Sequence, residues 1–160
     1  MGKRIVSVLI GLVFILTGAS VSLAHHSGGV EVGDLETGSV TGQPFKELTV
    51  DASFQAIELA GGPKVWYPPV AIINLKDRTA APVVLKVTNA SQAEHGFSLS
   101  ADASYSAPTS LNVKVVLKPG ETKYIGIQTS DLTYVTAGGV LRYKCHLHEP
   151  HVGGQLMILK

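Results

Sequence analysis

Apolar and polar residues alternate in short runs along most of the chain, which is the pattern of half-buried β-strands. In "APVVLKVTNAS", Val83, Leu85 and Val87 fall on one face, and Asn89 is a turn residue that ends the run. Similar runs occur in "FKELTVDASFQAIEL", "KVWYPPVAIINL", "GVLRYKCHLH" and "GQLMILK". Short strands at near-regular spacing, separated by Gly and Pro turns, predict an all-β sandwich.

Turn chemistry adds local predictions. The stretch "LNVKVVLKPGETKYIGIQT" predicts a β-hairpin closed at 118–121, because alternating apolar residues flank a Pro-Gly turn. Pro68 and Pro69 cannot donate to a β-ladder, so their segment is expected at a sheet edge or a bend. Residues 101–110 and 129–139 can each hold a turn of helix, and no internal repeat is visible.

The first 24 residues have the pattern of a secretory signal peptide. Lys3 and Arg4 precede an apolar run over 5–17, and Ser22-Leu23-Ala24 provides small residues for cleavage. An uncleaved membrane anchor is the alternative, although the run is short for a permanent span. The protein is therefore expected to be periplasmic or secreted, without a stable membrane span after signal removal. Residues 25–43, rich in Gly, Ser and Thr, are expected to form a flexible leader to a single domain over 44–160.

Charge and cysteine content narrow the functional classes. Removing Lys3 and Arg4 with the signal leaves 11 basic and 12 acidic residues, a net charge of −1. Neither this balance nor any local basic run indicates nucleic acid as a partner. The chain has a single cysteine, so it forms no internal disulfide. In an exported protein such a residue is a free thiol, an intermolecular bridge or a metal ligand.

The neighbours of this cysteine favour a metal ligand. In "YKCHLHEPHVGG", two residues separate Cys145 from His148 at the end of a predicted strand, so both can turn towards one ion. His151 can reach the same ion if the loop curls, which Pro150 and the following Gly-Gly allow. His95, in "NASQAEHGFSLS", is the candidate for a second arm of the site. One thiolate with imidazoles from distant segments suits copper.

Other interpretations of these residues remain open at this stage. Zinc fits a Cys-His-His-His tetrahedron, the cysteine can be a buried apolar residue beside surface histidines, and a nucleophilic Cys–His pair needs further groups that no motif supplies. Glu94 is expected to be a solvated carboxylate, and His146 is expected to face away from Cys145 as a surface or supporting residue. The His25-His26 pair is either an auxiliary copper chelate or a solvated tail.

Three motifs together resemble the cupredoxin family of copper proteins: "AEHGFSL", the "KPGETK" turn and "YKCHLHEPHVGGQLMIL". In motif the chain is most similar to nitrosocyanin, a red copper protein with a Cys-x-Leu-His loop, a further histidine before the closing Gly-x-Leu strand and an early Gly-Phe-Ser. The resemblance covers roughly residues 65–160. It implies a cupredoxin-like Greek-key β-sandwich.

The resemblance also implies a ligand set, with one departure. Nitrosocyanin has a glutamate directly before Gly-Phe, whereas this chain has His95, the residue type of blue copper sites. The implied ligands are therefore His95, Cys145 and His148, with His151 as the axial or fourth ligand. A dinuclear copper site of the oxidase-subunit kind needs two cysteines in this loop, and the chain has one.

The axial position has further candidates. Met157 lies nine residues after His148, too far along the closing strand for the axial methionine of many cupredoxins. Gln155 stays as an alternative, because glutamine serves as an axial ligand in some members of the family.

The function expected from these features is that of an exported mononuclear copper protein, with one ion per chain. It would act as an electron carrier between exported redox partner proteins rather than as an enzyme. The alternatives are a nitrosocyanin-like red copper site that binds or converts a small molecule such as nitric oxide, and a copper storage or delivery module. A homo-oligomer is also consistent with the resemblance.

Overall fold

The structure is a computed structural model that describes residues 29–76, 78, 80–101, 111–135, 139–149 and 151–160. The predicted signal peptide, the His25-His26 pair, Pro150 and the stretch 102–110 lie outside the described residues. The strands within these ranges are β1 (Val30–Gly33), β2 (Ser39–Val40), β3 (Gln43–Pro44), β4 (Ala52–Glu58), β5 (Lys64–Tyr67), β6 (Val70–Asn74), β7 (Val83–Asn89), β8 (His95–Ala101), β9 (Asn112–Leu117), β10 (Thr122–Ile127), β11 (Val140–Lys144) and β12 (Gly154–Leu159), with a 3-10 helix at Phe45–Glu47 and one α-helix, α1 (Thr129–Val135).

Two five-stranded sheets pack face to face. The first sheet has the order β1-β10-β7-β4-β5, and the second has the order β6-β12-β11-β8-β9. Strand β10 returns to lie beside β7 after the chain has passed through β8 and β9, which is a Greek-key connection. The predicted all-β Greek-key sandwich is confirmed by this strand order.

Aromatic rings join the two sheets at the centre of the core. Phe54 of β4 lies with its ring centroid 5.4 Å from Phe97 of β8 and 4.7 Å from Tyr143 of β11. All three side chains are buried, as are the apolar residues that alternate along β7, β9 and β10. Tilted ring pairs of this kind contribute about 0.5–1.5 kcal/mol each beyond the area that they bury. These rings hold β8, which begins at His95, and β11, which ends beside Cys145, against the first sheet.

The hairpin predicted at 118–121 is wrong. Strand β9 pairs with β8 in the second sheet, whereas β10 pairs with β7 and β1 in the first, so the turn is an arch between sheets. Val113 and Leu117 of β9 and Ile125 of β10 all face the core. Alternation in sequence shows which face of a strand is buried, but it does not identify the strand with which it pairs.

Residues 25–43 were expected to form a flexible leader, but the described part of this segment, from residue 29, includes a strand of the first sheet. Val30–Gly33 pairs with β10 as an edge strand of the first sheet. Val30 is buried, and the Asp131 carboxylate accepts a hydrogen bond of 2.6 Å from the Gly29 amide. Few large apolar residues occur in this segment. An edge strand buries only one face, so the burial of Val30 and the hydrogen bonds to β10 are enough to hold the segment in the sheet.

Two smaller predictions agree with the structure. The chain bends at Pro68 and Pro69 between β5 and β6, which are edge strands of different sheets. A short helix, α1, occurs within 129–139. In the part of the chain that the structure describes, no helix is long and apolar enough to cross a membrane.

Candidate metal centre

His95 is the first residue of β8, and the alternation of that strand directs it inwards. Phe97 and Leu99, two and four residues later, are fully buried in the core. His95 has the same orientation and is only 1% exposed. The Trp66 indole is nearly perpendicular to the His95 ring at a centroid distance of 6.4 Å, and Trp66 Nε1 donates a hydrogen bond to the carbonyl of Gly96. The first sheet thus supports His95 from the side.

Cys145 follows directly after β11. Leu141 and Tyr143 point into the core from that strand, and Cys145 continues their alternation with an exposure of 3%. Its neighbour Lys144 accepts a hydrogen bond from the Ser98 hydroxyl at its backbone carbonyl, which ties the end of β11 to β8. The thiol therefore emerges at the end of the sandwich where β8 begins.

The loop after Cys145 carries the other two candidate ligands, His148 and His151, and is anchored on the first sheet. The Trp66 amide donates to the Val152 carbonyl, and the Val152 amide donates to the Lys64 carbonyl. Gly153 packs so closely on β11 that an added Cβ would lie 2.1 Å from the Tyr143 carbonyl oxygen. These contacts return the loop tightly to the sandwich and place His151, half-buried, opposite His95.

The four predicted ligands come together. One potential ligand atom from each of His95, Cys145, His148 and His151 lies within 4.8 Å of the others. The distance from Cys145 Sγ to His148 Nδ1 is 3.7 Å. Two ligands on a tetrahedral ion, with bonds of about 2.3 Å to sulfur and about 2.0 Å to nitrogen, are about 3.5 Å apart. The observed separation is close to that expected for two ligands of one ion.

The hydrogen-bonding state of the histidines supports the same interpretation. Both ring nitrogens of His95 and Nδ1 of His151 are buried and have no hydrogen-bond partner among the described protein atoms. Each buried polar group left in this way costs about 1–3 kcal/mol. A metal ion at the centre of the cluster would satisfy one nitrogen of each ring. These residues therefore fit a bound transition metal with nitrogen and sulfur ligands.

The surroundings of His95 and His151 lower the pKa of each ring and so favour the neutral imidazole, which is the form that binds metal. Burial, with the neighbouring His151 and Lys64, lowers the pKa of His95 from 6.5 to about 4. The pKa of His151 is also lowered, first by burial and then by His148 and Lys64. The cluster is thus poised to bind a cation near neutral pH without first releasing protons from these two rings.

Asn89 organises the loop that leads into His95. Its side-chain amide donates to the carbonyls of Ala93 and Leu117, and its Oδ1 accepts from the amide and hydroxyl of Ser91. Its backbone also pairs with the arch between β9 and β10. The sequence indicated only a turn residue at this position. Three of its four side-chain hydrogen bonds are local, to Ser91 and Ala93, and the bond to Leu117 joins a strand that is distant in sequence.

Other candidate residues lie outside the cluster. Glu94 is exposed. Gln155 and Met157 alternate with buried Leu156 and Ile158 on β12, so they are on the outer face of the second sheet. His146 faces away from Cys145, as expected, and its ring packs on Gly96, where an added Cβ would lie 2.6 Å away.

Comparisons with known proteins give structural neighbours only. No protein-family model matches the sequence, and no significant match was found among curated proteins. The similar solved structures include a reduced Cu(I) form of an amicyanin mutant (13% identity, 71% of this chain and 87% of that chain, TM-score 0.44). They also include a purple cupredoxin from Nitrosopumilus maritimus (16%, 68% and 99%, TM-score 0.43) and auracyanin A, a blue copper protein from Chloroflexus aurantiacus (12%, 66% and 95%, TM-score 0.46). The neighbours are thus cupredoxins, and none of these three exceeds 16% identity with this chain.

We expect the metal-free protein to lose stability as the pH falls from about 6.5 towards 4. Over this range the unfolded chain protonates residue 95, whereas folded His95, with a pKa of about 4, stays neutral. The unfolded state then binds more protons than the folded state. The contribution of neutral His95 to the free energy of unfolding, roughly 3 kcal/mol at most, is therefore present above pH 6.5 and is lost as the pH falls through 4. Urea unfolding at a series of pH values measures it. A His95→Asn variant should show a shallower pH dependence, and an identical slope in both proteins would contradict the assignment.

A second prediction concerns Gly96. Replacing it with alanine forces the His146 ring or β8 to move, so Gly96→Ala should destabilise the protein by roughly 1–3 kcal/mol. Ser100→Ala, on the same face of β8, is the matched control and should change stability by about 0.5 kcal/mol or less. Thermal unfolding of both variants tests this. Equal stability of Gly96→Ala and the parent protein would show that His146 does not pack on this backbone.

Proposed function

We propose that this protein binds one copper ion per chain through His95, Cys145, His148 and His151, and that it carries electrons between exported redox proteins. One observation supports this above the others: a thiol and three imidazoles, from segments about fifty residues apart in sequence, offer ligand atoms within 4.8 Å of one another. The cupredoxin motifs of the sequence favour copper as the ion in such a site.

The ligand types suit a metal that changes oxidation state. A copper ion held there would supply a one-electron Cu(I)/Cu(II) couple, with the soft thiolate favouring Cu(I) and the imidazoles suiting both states. Zinc fits a Cys-His-His-His set equally well by ligand count. It is the competing ion in the tests below.

The burial of two of the candidate ligands and the exposure of a third are features that suit an electron carrier. His95 and Cys145 are buried and supported by both sheets, so their positions change little when the charge of the site changes. His148 is exposed, and it is flanked by Leu147, which is 41% exposed. A redox partner would approach the site at His148. Export to the periplasm or secretion remains part of this proposal through the pattern of the first 24 residues.

The position of His151 favours a second candidate, a red copper site of the nitrosocyanin type. Its ring centroid lies 4.7 Å from that of His95 and 5.0 Å from that of His148, so it belongs to the cluster as closely as the others. A third imidazole would give four strong ligands in place of a trigonal set with a weak axial ligand. Such a site can bind a small molecule if a coordination position is open.

The first test is the visible and EPR spectrum of the protein after addition of Cu(II). An intense blue or green band with narrow copper hyperfine splitting is expected for a trigonal His95, Cys145 and His148 site, and a red species with wide splitting for strong binding by His151. Cys145→Ser should abolish the thiolate-to-copper band in either case. An unchanged spectrum in that variant, or preferential retention of zinc when both ions compete, would refute the copper assignment.

His151→Ala distinguishes the two candidates. If His151 is a fourth ligand, its removal should shift the spectrum towards that of a trigonal blue site. Glu94→Ala is the control, because Glu94 is adjacent to His95 in sequence but exposed and outside the cluster. A spectrum that changes with Glu94→Ala and not with His151→Ala would show that the ligand set has been assigned incorrectly.

A further inference from the structure

A groove follows the outer face of β8, on the side of the second sheet opposite the core. The inward residues of this strand are large, whereas the outward ones are Gly96, Ser98 and Ser100. Ser98 faces outwards and is nevertheless only 7% exposed, because the side chains of the flanking strands rise above it. We call this recess the β8 groove. It is lined by Ser98, Ser100, Lys114, Lys144, His146 and Glu149, among others.

The β-ladder places two lysines on opposite walls of the β8 groove. Ser98 is in register with Lys114 of β9 on one side and with Lys144 of β11 on the other. Two strand spacings separate the lysines, about 10 Å between Cα atoms. Both side chains are exposed, and neither has an ion-pair partner among the described residues. Lysine side chains are long enough for both ammonium groups to reach one ligand above Ser98.

A neutral hydrogen-bond donor completes the site. The Ser100 hydroxyl lies in the floor, one outward position beyond Ser98. At the other end, the His146 ring packs on Gly96 and closes the groove. Two cations with a hydroxyl group between them are donors that bind an oxyanion by charge-assisted hydrogen bonds. Glu149, the acidic residue of the lining, would repel an anion at its own end.

The alternative explanation is that these lysines are ordinary solvated surface residues, and it explains this arrangement less well. The two lysines are about 10 Å apart with β8 between them, so they need not avoid each other, but solvated lysines need no recessed floor of small residues between them. A bound anion would fill the recess and interact favourably with both ammonium groups.

We propose that the β8 groove binds a small oxyanion, an inorganic tetrahedral ion or a carboxylate, between Lys114 and Lys144 above Ser98 and Ser100. The groove reaches Cys145 itself, which also contributes to its lining. If the proposed copper function holds, the bound negative charge favours the oxidised ion and lowers the reduction potential. The groove would then couple the anion content of the compartment to electron transfer.

The binding step is tested on the metal-free protein, so that it does not depend on copper. Backbone amide NMR spectra are recorded during titration with inorganic phosphate, sulfate or acetate, each at constant ionic strength with sodium chloride. Saturable shifts confined to residues 96–100, 112–114 and 144–149 are expected, with a Kd on the order of 1 mM for so open a site. Saturation by phosphate and sulfate indicates a tetrahedral ligand and saturation by acetate a carboxylate; either result supports the proposal.

Variants identify the groups that bind. The double variant Lys114→Gln, Lys144→Gln should weaken binding by roughly tenfold or more. Lys76→Gln, which removes an exposed lysine outside the groove, should leave the affinity unchanged, and Glu149→Gln should increase it. Absence of saturable shifts, or equal affinity in the double variant and the parent protein, would overturn the proposal.

A separate measurement addresses the coupling. Phosphate should lower the reduction potential of the copper-loaded parent protein and should have no such effect on the double lysine variant. Saturable phosphate binding by a protein that holds no copper would refute the proposed function while leaving the anion site intact. A potential that shifts equally in both proteins would refute the coupling.

Discussion

The burial of His95 without a hydrogen-bond partner is the constraint on which the site depends. Both of its ring nitrogens are removed from solvent at the end of the sandwich, and burial alone would disfavour a polar ring at that position. The surrounding structure nevertheless holds the ring firmly, through Trp66 on one side and the Asn89 network behind the preceding loop. A buried polar group that lacks hydrogen bonds is unusual in a folded protein, and the three other potential ligands around His95 make the arrangement fit a metal site.

The two sheets contribute to the centre in different ways. The second sheet supplies His95 and Cys145 directly, from the beginning of β8 and the end of β11. None of the four clustered residues belongs to the first sheet, but β5 anchors the C-terminal loop through backbone hydrogen bonds to Val152. His151 therefore depends on contacts between the sheets, whereas Cys145 depends on the alternation of its own strand. This division explains how the loop can half-bury His151 opposite His95 while His148, a member of the same cluster, stays exposed.

Strand β8 contributes residues to a different feature on each face of the second sheet. Its inward residues begin with His95 and continue into the core, while its outward residues form the floor of the β8 groove. Gly96 connects the two faces of the strand. Its carbonyl accepts a hydrogen bond from Trp66 inside the sandwich, and its α-carbon contacts the His146 ring on the outside. Only the thickness of one strand therefore lies between the outer face of β8 and the candidate metal centre, so a change of charge or packing on that face would occur close to the centre.

The sequence alone determined the all-β class and the four candidate ligands. Period-two alternation reports the buried face of each strand, and the rare residue types Cys and His stand out in a chain that has one cysteine and six histidines. Tertiary structure alone decided which strands pair. The arch between β9 and β10, the edge strand at Val30–Gly33 and the anchoring of Val152 on β5 all follow from contacts between distant segments. Local propensity carries no information about such contacts, because the backbone hydrogen bonds of a strand are chemically the same with any partner.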